Sequence, residues 1–296
     1  MEIRVLQYFL AIAREETISG AAEFLHLTQP TLSRQMKELE DELGKQLFIR
    51  GNRKITLTED GLFLKKRAEE IVNLVEKTEL EITTSDNSLT GDIYIGAGET
   101  EGMKIITKAI KKLQSEYPLV RFHIHSGNAE DVTEKLDKGL LDFGILVEPQ
   151  KFSNYDYLKL PSNDVWGILM RKDSHLATLD KISKKDIKKL PLILSRQELF
   201  TNEVAQWLGG NIENLNIVAT YNLLYNASLM VEDGLGYAFC FDKLANTSKD
   251  SALCFRALDP RLTVGLSFVW KKYQVFSKSS KYFLTKVQEV IREYDK

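Results

Sequence analysis

Cysteine is scarce, with two in 296 residues. Cys240 and Cys254 lack C-x-x-C spacing and sit among apolar neighbours (Phe239, Phe241; Leu253, Phe255), which favours small buried residues over a sensing disulfide. No apolar run approaches the roughly 18 residues that cross a bilayer, and no charged stretch followed by an apolar one opens the chain. Membrane spanning and secretion are therefore not expected, and the cytoplasm is the expected compartment. The four histidines, His26, His123, His125 and His175, show no metal-ligand spacing; His123 and His125 share a strand face, where core or surface placement fits better than coordination. Neither G-x-S-x-G nor G-x-x-x-x-G-K-[ST] occurs, so no enzyme is expected. An excess of basic charge is also missing: 40 Lys and Arg stand against 42 Asp and Glu, and residues 1–90 hold 12 against 16. By totals alone this counts against a nucleic-acid partner.

What is present begins with ordinary globular proportions, 43% hydrophobic and 28% charged, in a chain long enough for two or three domains. Residues 18–43 have the pattern of two short helices joined by a tight turn. Ser19 is the expected N-cap of the first, Ala21 and Ala22 allow close packing, and Phe24 and Leu25 are expected in the core. His26, Leu27 and Thr28 make the turn, and Thr28 can cap a second helix with Pro30 in its first turn. Leu32, Met36, Leu39 and Leu43 then form one apolar stripe, with Pro30, Arg34, Lys37, Glu38 and Asp41 opposite and Thr31 and Ser33 flanking. Short polar and basic side chains at the start of a second helix suit base edges in a major groove. An ordinary helical hairpin is the alternative. Leu6, Phe9, Leu10 and Ala13 predict a preceding helix that closes a three-helix core.

After Gly44 the runs LFI and ITL flank RGNRK, a hairpin around a Gly-Asn turn that carries Arg50 and Arg53. Lys45, Lys54, Lys65, Lys66 and Arg67 add to these, so local basic clustering exists where the total does not show it. Arginines on such a tip suit phosphate or a narrow minor groove; solvated turn charges are the alternative. Thr58, Glu59 and Asp60 open a helix of about 25 residues, uninterrupted by proline until SDNS at 85–88. Leu64, Ala68, Ile71, Val75, Thr78 and Ile82 alternate steps of four and three along it, which predicts a dimer seam. Two recognition helices spaced by a dimer imply a near-palindromic target in double-stranded DNA.

The segment AAEFLHLTQPTLSRQMKELEDELGKQLFIRGNRKITLTEDG resembles the winged helix-turn-helix signature of LysR-type transcriptional regulators, through Ala21, Ala22, Gln29, Pro30, Ser33, Leu39, Glu40, Leu43, Gly44, Leu47, Phe48, Arg50, Arg53, Leu57, Thr58 and Gly61. The resemblance places Gln29, Pro30, Ser33 and Arg34 near DNA and Arg50 and Arg53 on the wing. It also implies a homodimer, a dimer of dimers as homotetramer, and RNA polymerase among the partners. From Gly91 the pattern alternates: strands at 93–96, 120–125 and 141–147 with helices at 103–116 and 129–139, then strands at 165–170, 192–195, 217–220 and 236–241 with helices near 199–208 and 223–232. Strands at 253–258 and 263–270 and a C-terminal helix are expected to return to the first unit. The fold class is thus α/β overall, with an N-terminal winged helix-turn-helix (1–58), a dimerisation helix (59–88) and a two-lobed periplasmic-binding-protein-like effector domain (89–296). Its lobe I covers about 91–161 and 267–296, and lobe II about 162–266. YPLVRFHIHSG, LDKGLLDFGIL and VEDGLGYAF look like segments of that family's effector domain; DSHLA at 173–177 departs from it, lacking a proline after the histidine.

Ligands of open α/β sheets bind beyond the carboxyl ends of strands, where helices begin. That rule selects Gly98, Thr100, Ser126, Gly127, Glu148, Ser195, Arg196 and Thr220, with hydroxyls from four of them and a charge for an anion from Arg196. Helix capping is the alternative role for each hydroxyl. The resemblance puts Thr100, Ser126 and Thr220 where family effectors bind. GAGETEG at 96–102 has a rival reading as a dinucleotide loop, but its spacing is one residue too long for G-x-G-x-x-G, and Glu99 and Glu101 would repel a pyrophosphate. No cofactor is expected beyond a small-molecule effector. The competing function is an enzyme or nucleotide-dependent sensor with a DNA-binding unit; a scaffold using only the long helix is a third.

Overall fold

The structure, a computed structural model, describes residues 1–51, 54–83, 89–148, 153–196, 203–209 and 215–294, without the side chains of residues 50, 80, 81, 83 and 203. It divides into two units, Met1–Thr84 and Ser85–Lys296.

In the first unit, helices α1 (Ile3–Glu15), α2 (Ile18–Phe24) and α3 (Gln29–Leu43) enclose one core. Leu6, Phe9 and Ile12 meet Ala21 and Ala22 and the stripe Leu32, Met36, Leu39. The stripe of α1 runs through Ile12, while the expected Leu10 and Ala13 are half-buried. Helix α2 begins one residue before Ser19, because Thr17 is the N-cap: its hydroxyl accepts the Gly20 N–H at 3.1 Å. Phe24 is not in the core but 53% exposed, with the Arg14 guanidinium 3.8 Å from its ring centroid, an arrangement that partly shields an outward aromatic. Leu43 also leaves the core, since the helix ends at Gly44 in the left-handed region (φ 64°) and its last turn overhangs.

Strands β1 (Phe48–Arg50) and β2 (Ile55–Leu57) pair antiparallel with Phe48 opposite Leu57. The Glu40 carboxylate of α3 accepts the Leu47 and Phe48 N–H groups at 2.7 and 3.2 Å, which ties the hairpin to α3. Thr58 caps α4 (Glu59–Thr83), 25 residues long, by accepting the Gly61 N–H at 3.0 Å. A Cβ at Gly61 would lie 2.2 Å from the Leu47 carbonyl oxygen, so only glycine lets α4 pass the hairpin base. Ala68 and Val72 complete the core.

The second unit holds one sheet in the order β4-β3-β5-β12-β6-β10-β8-β9. Its lobe I contains β3 (Gly91–Ala97), β4 (Val120–Ser126) and β5 (Phe143–Val147) in parallel, with β12 (Thr263–Lys271) antiparallel to β5. Helices α5 (Met103–Glu116) and α10 (Lys278–Tyr294) pack around Phe143, Phe268 and Phe283, and α6 (Ala129–Asp137) packs around Leu146 and Val269. Lobe II contains β8 (Leu192–Ser195), β9 (Ile217–Tyr221) and β10 (Tyr237–Phe241), with α7 (Lys184–Ile187), α8 (Glu203–Leu208) and α9 (Leu224–Glu232).

A single strand, β6 (Tyr155–Arg171), serves both lobes: β12 pairs along its first part, and β10 and β11 (Leu253–Asp259) along its second. Only its later part reads as a strand in sequence, because Pro161 interrupts the run. The structure puts Pro161 and Ser162 at a register shift, where Gly265 faces Asn163 and Leu266 faces Leu160, so the missing N–H breaks no ladder bond. The expected return of residues 253–258 to the first lobe is also corrected: β11 pairs with β6 and with β7 (Ile182–Ser183) and stays in lobe II. Among the described residues no helix is long and apolar enough to cross a membrane.

Candidate recognition helix and effector cleft

The start of α3 is built for solvent. Thr28 caps it, its hydroxyl 3.4 Å from the Thr31 N–H and 2.8 Å from the Thr31 hydroxyl. Gln29, Pro30, Thr31, Arg34 and Lys37 are exposed and Ser33 is half-buried, while Leu32 and Met36 between them are buried. Arg34 is 74% exposed and pairs with Glu38 at 3.3 Å; such surface pairs contribute about 0.3–0.5 kcal/mol, so the guanidinium is cheaply redirected. On the hairpin, Arg53 and the Arg50 side chain lie outside the described residues.

Along α4 the expected seam divides. Ala68 is fully buried in its own unit and Leu64 half-buried against the same core, so Ala68 is withdrawn from the dimer contacts. The physical reason is that α1 already covers this face of α4. Ile71, Thr78 and Ile82 are exposed and Val75 half-buried, and Phe63 and Leu74 join them as exposed apolar side chains that the heptad reading missed.

In lobe I the parallel pairing sets Ala97 beside Ser126, and the Gly127 N–H bonds the Ala97 carbonyl at 3.1 Å, so loops 98–102 and 126–128 adjoin. Gly98 and Gly127 lie in van der Waals proximity. Ser126 is exposed and does not cap α6; Asn128 does, in a reciprocal box with Asp131. In lobe II, Ser195 pairs with Tyr221 and the Arg196 N–H bonds the Tyr221 carbonyl at 2.7 Å, which brings Ser195, Arg196 and exposed Thr220 to one sheet end. The Glu148 carboxylate, half-buried, accepts the Ser267 hydroxyl at 2.6 Å and pairs with Lys159 at 3.7 Å within lobe I.

Two residues outside the selected set tie the loops together. The Glu99 carboxylate accepts the N–H of Leu224, the first residue of α9, and so links the lobes. Asp164, 3% exposed on β6, lies beside the Thr100 hydroxyl and the Glu101 backbone. Burial pushes its carboxyl above the usual range, these polar neighbours oppose the shift, and the nearby Glu101 charge adds to it while Lys243 reduces it. Its Oδ2 has no hydrogen-bond partner among the described residues. A carboxylate immediately before the apolar run VWGILM was the available signal for Asp164; for Glu99 the strand-end loop gave its place, but not its partner 125 residues away.

The description of the bacterial regulatory helix-turn-helix protein, lysR family, matches residues 3–62, and that of the LysR substrate binding domain matches residues 86–292. The chain belongs to the LysR family. It is a transcriptional regulator with a DNA-binding helix-turn-helix and an effector-binding domain, and the family is one of regulators, not enzymes. The HTH-type transcriptional regulator BsdA of Bacillus subtilis is 33% identical over 198 residues, 66% of this chain and 67% of that one. YvbU of the same organism, an uncharacterized HTH-type transcriptional regulator, is 25% identical over 98% of this chain and 99% of its own. Full-length CbnR in complex with its target DNA superposes with a TM-score of 0.75 at 18% identity, covering 99% of this chain and 100% of that one, which establishes likeness of fold. The helix-turn-helix match takes in α1 to α3 and the hairpin, and the LysR substrate binding domain match takes in the two-lobed unit.

Proposed function

We propose that the first turns of α3 read base edges, with Gln29, Pro30, Thr31, Ser33, Arg34 and Lys37 at the groove and Arg50 and Arg53 on flanking phosphates or the minor groove. Residues 1–58 serve DNA, 59–88 pairing between copies, and 89–296 the effector. Pairing through Ile71, Leu74, Val75, Thr78 and Ile82 yields a dimer, and two dimers a tetramer that spans separated half-sites. CbnR, of the same fold, was crystallised on its target DNA. Contact with RNA polymerase and action in the cytoplasm belong to the same reading.

The effector lies between loops 98–102 and 126–128 of lobe I and the loops after β8 and β9 of lobe II, touching Thr100, Ser126, Ser195, Arg196 and Thr220. Preferring one lobe arrangement, it shifts the population of the assembled states; equal affinity for both would change nothing.

The observation that carries the DNA reading is the division of α3: its apolar stripe is consumed by the core while a capped, polar and basic N-terminal half stands in solvent. Selection from random duplexes, followed by gel shifts with variants, tests it. Arg34→Ala should lose about 1–3 kcal/mol of discrimination between the selected site and its single-base variants, and Arg53→Ala should weaken all sites evenly. Unchanged binding by both removes these residues from the interface.

A further inference from the structure

We propose that Glu99 is a built-in anion of the cleft: it clasps lobe II to lobe I and sets specificity against effectors that present a carboxylate to α9. The proposal rests on the cleft reading above.

The helix itself calls for such a partner. Its N-cap, Leu223, carries no side-chain oxygen, and its first turn contains no acidic residue. Asn222, just before the cap, has its Oδ1 turned to the Leu223 N–H at 3.0 Å. First-turn N–H groups and the positive end of the helix dipole favour a negative group. Glu99 supplies it from the other lobe through the Leu224 N–H.

The clasp is held firmly on the lobe I side. Thr100 accepts the Gly102 N–H at 3.0 Å. Asp164, on the strand shared by both lobes, lies beside the Thr100 hydroxyl and the Glu101 backbone. The residues that follow Glu99 are thus tied down, and its own side chain is half-buried. Its charge also reaches inward: burial first, then the carboxylates of Asp242 and Glu99, push the Cys240 thiol on β10 up.

Specificity follows from tethering. A carboxylate on a short, fixed loop meets its partner at an effective concentration of about millimolar or more. A free metabolite carboxylate must displace it and then remain beside it, a like charge in a partly desolvated site. Ligands that are neutral or cationic at the end facing α9 meet neither obstacle.

Hydrogen exchange and thermal unfolding of the full-length protein test this, with sodium acetate as probe and sodium chloride at matched ionic strength as control. Glu99→Ala should speed exchange of the peptide that begins at Leu224 by about tenfold, the loss of one charge-assisted bond, while exchange of α1 to α3 stays unchanged. Acetate should restore that protection in Glu99→Ala and leave the wild type unaffected. Glu99→Gln, which keeps an acceptor and the side-chain volume, should show a smaller increase and serves if the alanine variant does not fold. Equal exchange in wild type and both variants, or equal protection of wild type and variant by acetate, overturns the clasp. Neither readout uses effector or DNA, so failure of the clasp is separable from failure of the cleft reading, which would appear as an unaltered small-molecule response in a Thr100 variant.

Discussion

Replacing Ile71 and Leu74 together by aspartate tests whether α4 pairs two copies of the chain. At about 100° per residue, Phe63, Arg67, Ile71, Leu74, Thr78 and Ile82 share an arc of about 100°, turned by roughly 110° from the face of Gly61, Ala68 and Val72 that meets α1. Phe63 is 66% exposed, Ile71 38%, Leu74 41% and Ile82 78%, an apolar strip that the single chain does not cover. Full burial of an Ile or Leu side chain is worth about 1.5–3 kcal/mol. With roughly two-fifths of their surface still open, Ile71 and Leu74 retain about 0.6–1.2 kcal/mol each, or about 2.4–5 kcal/mol for the four copies in a symmetric dimer. Aspartates there forfeit that burial and add repulsion, so the dimer should weaken about 10²- to 10⁴-fold. Sedimentation velocity from nanomolar to micromolar protein measures it. A dissociation constant within about threefold of wild type would refute the reasoning and place the pairing surface elsewhere; that bound sits well below the weakening worked out above.

Three further outcomes follow from local geometry. Gly61→Ala forces a Cβ to 2.2 Å from the Leu47 carbonyl oxygen, so the hairpin base must shift and the first unit should lose about 1–3 kcal/mol in thermal unfolding; an unchanged Tm would contradict the close approach. Asp164 is held above the usual carboxylate range by burial, so its contribution to stability is complete below the unfolded value near pH 4 and is lost as pH rises through the raised native value. Asp164→Asn cannot ionise and should gain on wild type across that window, whereas parallel pH–stability curves would exclude the effect. Thr100→Val removes the hydroxyl that faces Asp164; in thermal-shift screening against a metabolite panel it should diminish the response seen with wild type, with DNA affinity intact. An undiminished response would take Thr100 out of the cleft.

Periodicity alone determined much of this protein. The alternation of apolar residues in α3, the Thr28 cap with Pro30 behind it, the long uninterrupted α4 and the alternating strands and helices after Gly91 all depend on interactions within a few residues, and each is legible in one dimension. The polar, exposed face of α3 is legible for the same reason, because a helix sorts its side chains by angle. Tertiary structure decided what depends on partners far along the chain. Phe24 and Leu43 are as apolar as Leu32 and Met36, yet both stand outside the core that encloses those two. Ala68 fits a heptad seam equally well facing a second copy or facing α1, and only the packing of α1 selects the second. Pro161 reads as a strand break until the opposing β12 absorbs it at a register shift. The cleft shows the same division: its loops follow from strand ends, but the engagement of Glu148 by Ser267 and Lys159 and the reach of Glu99 to Leu224 are long-range polar bonds. A carboxylate's partner is set by where the fold brings a donor, and no local pattern encodes that distance.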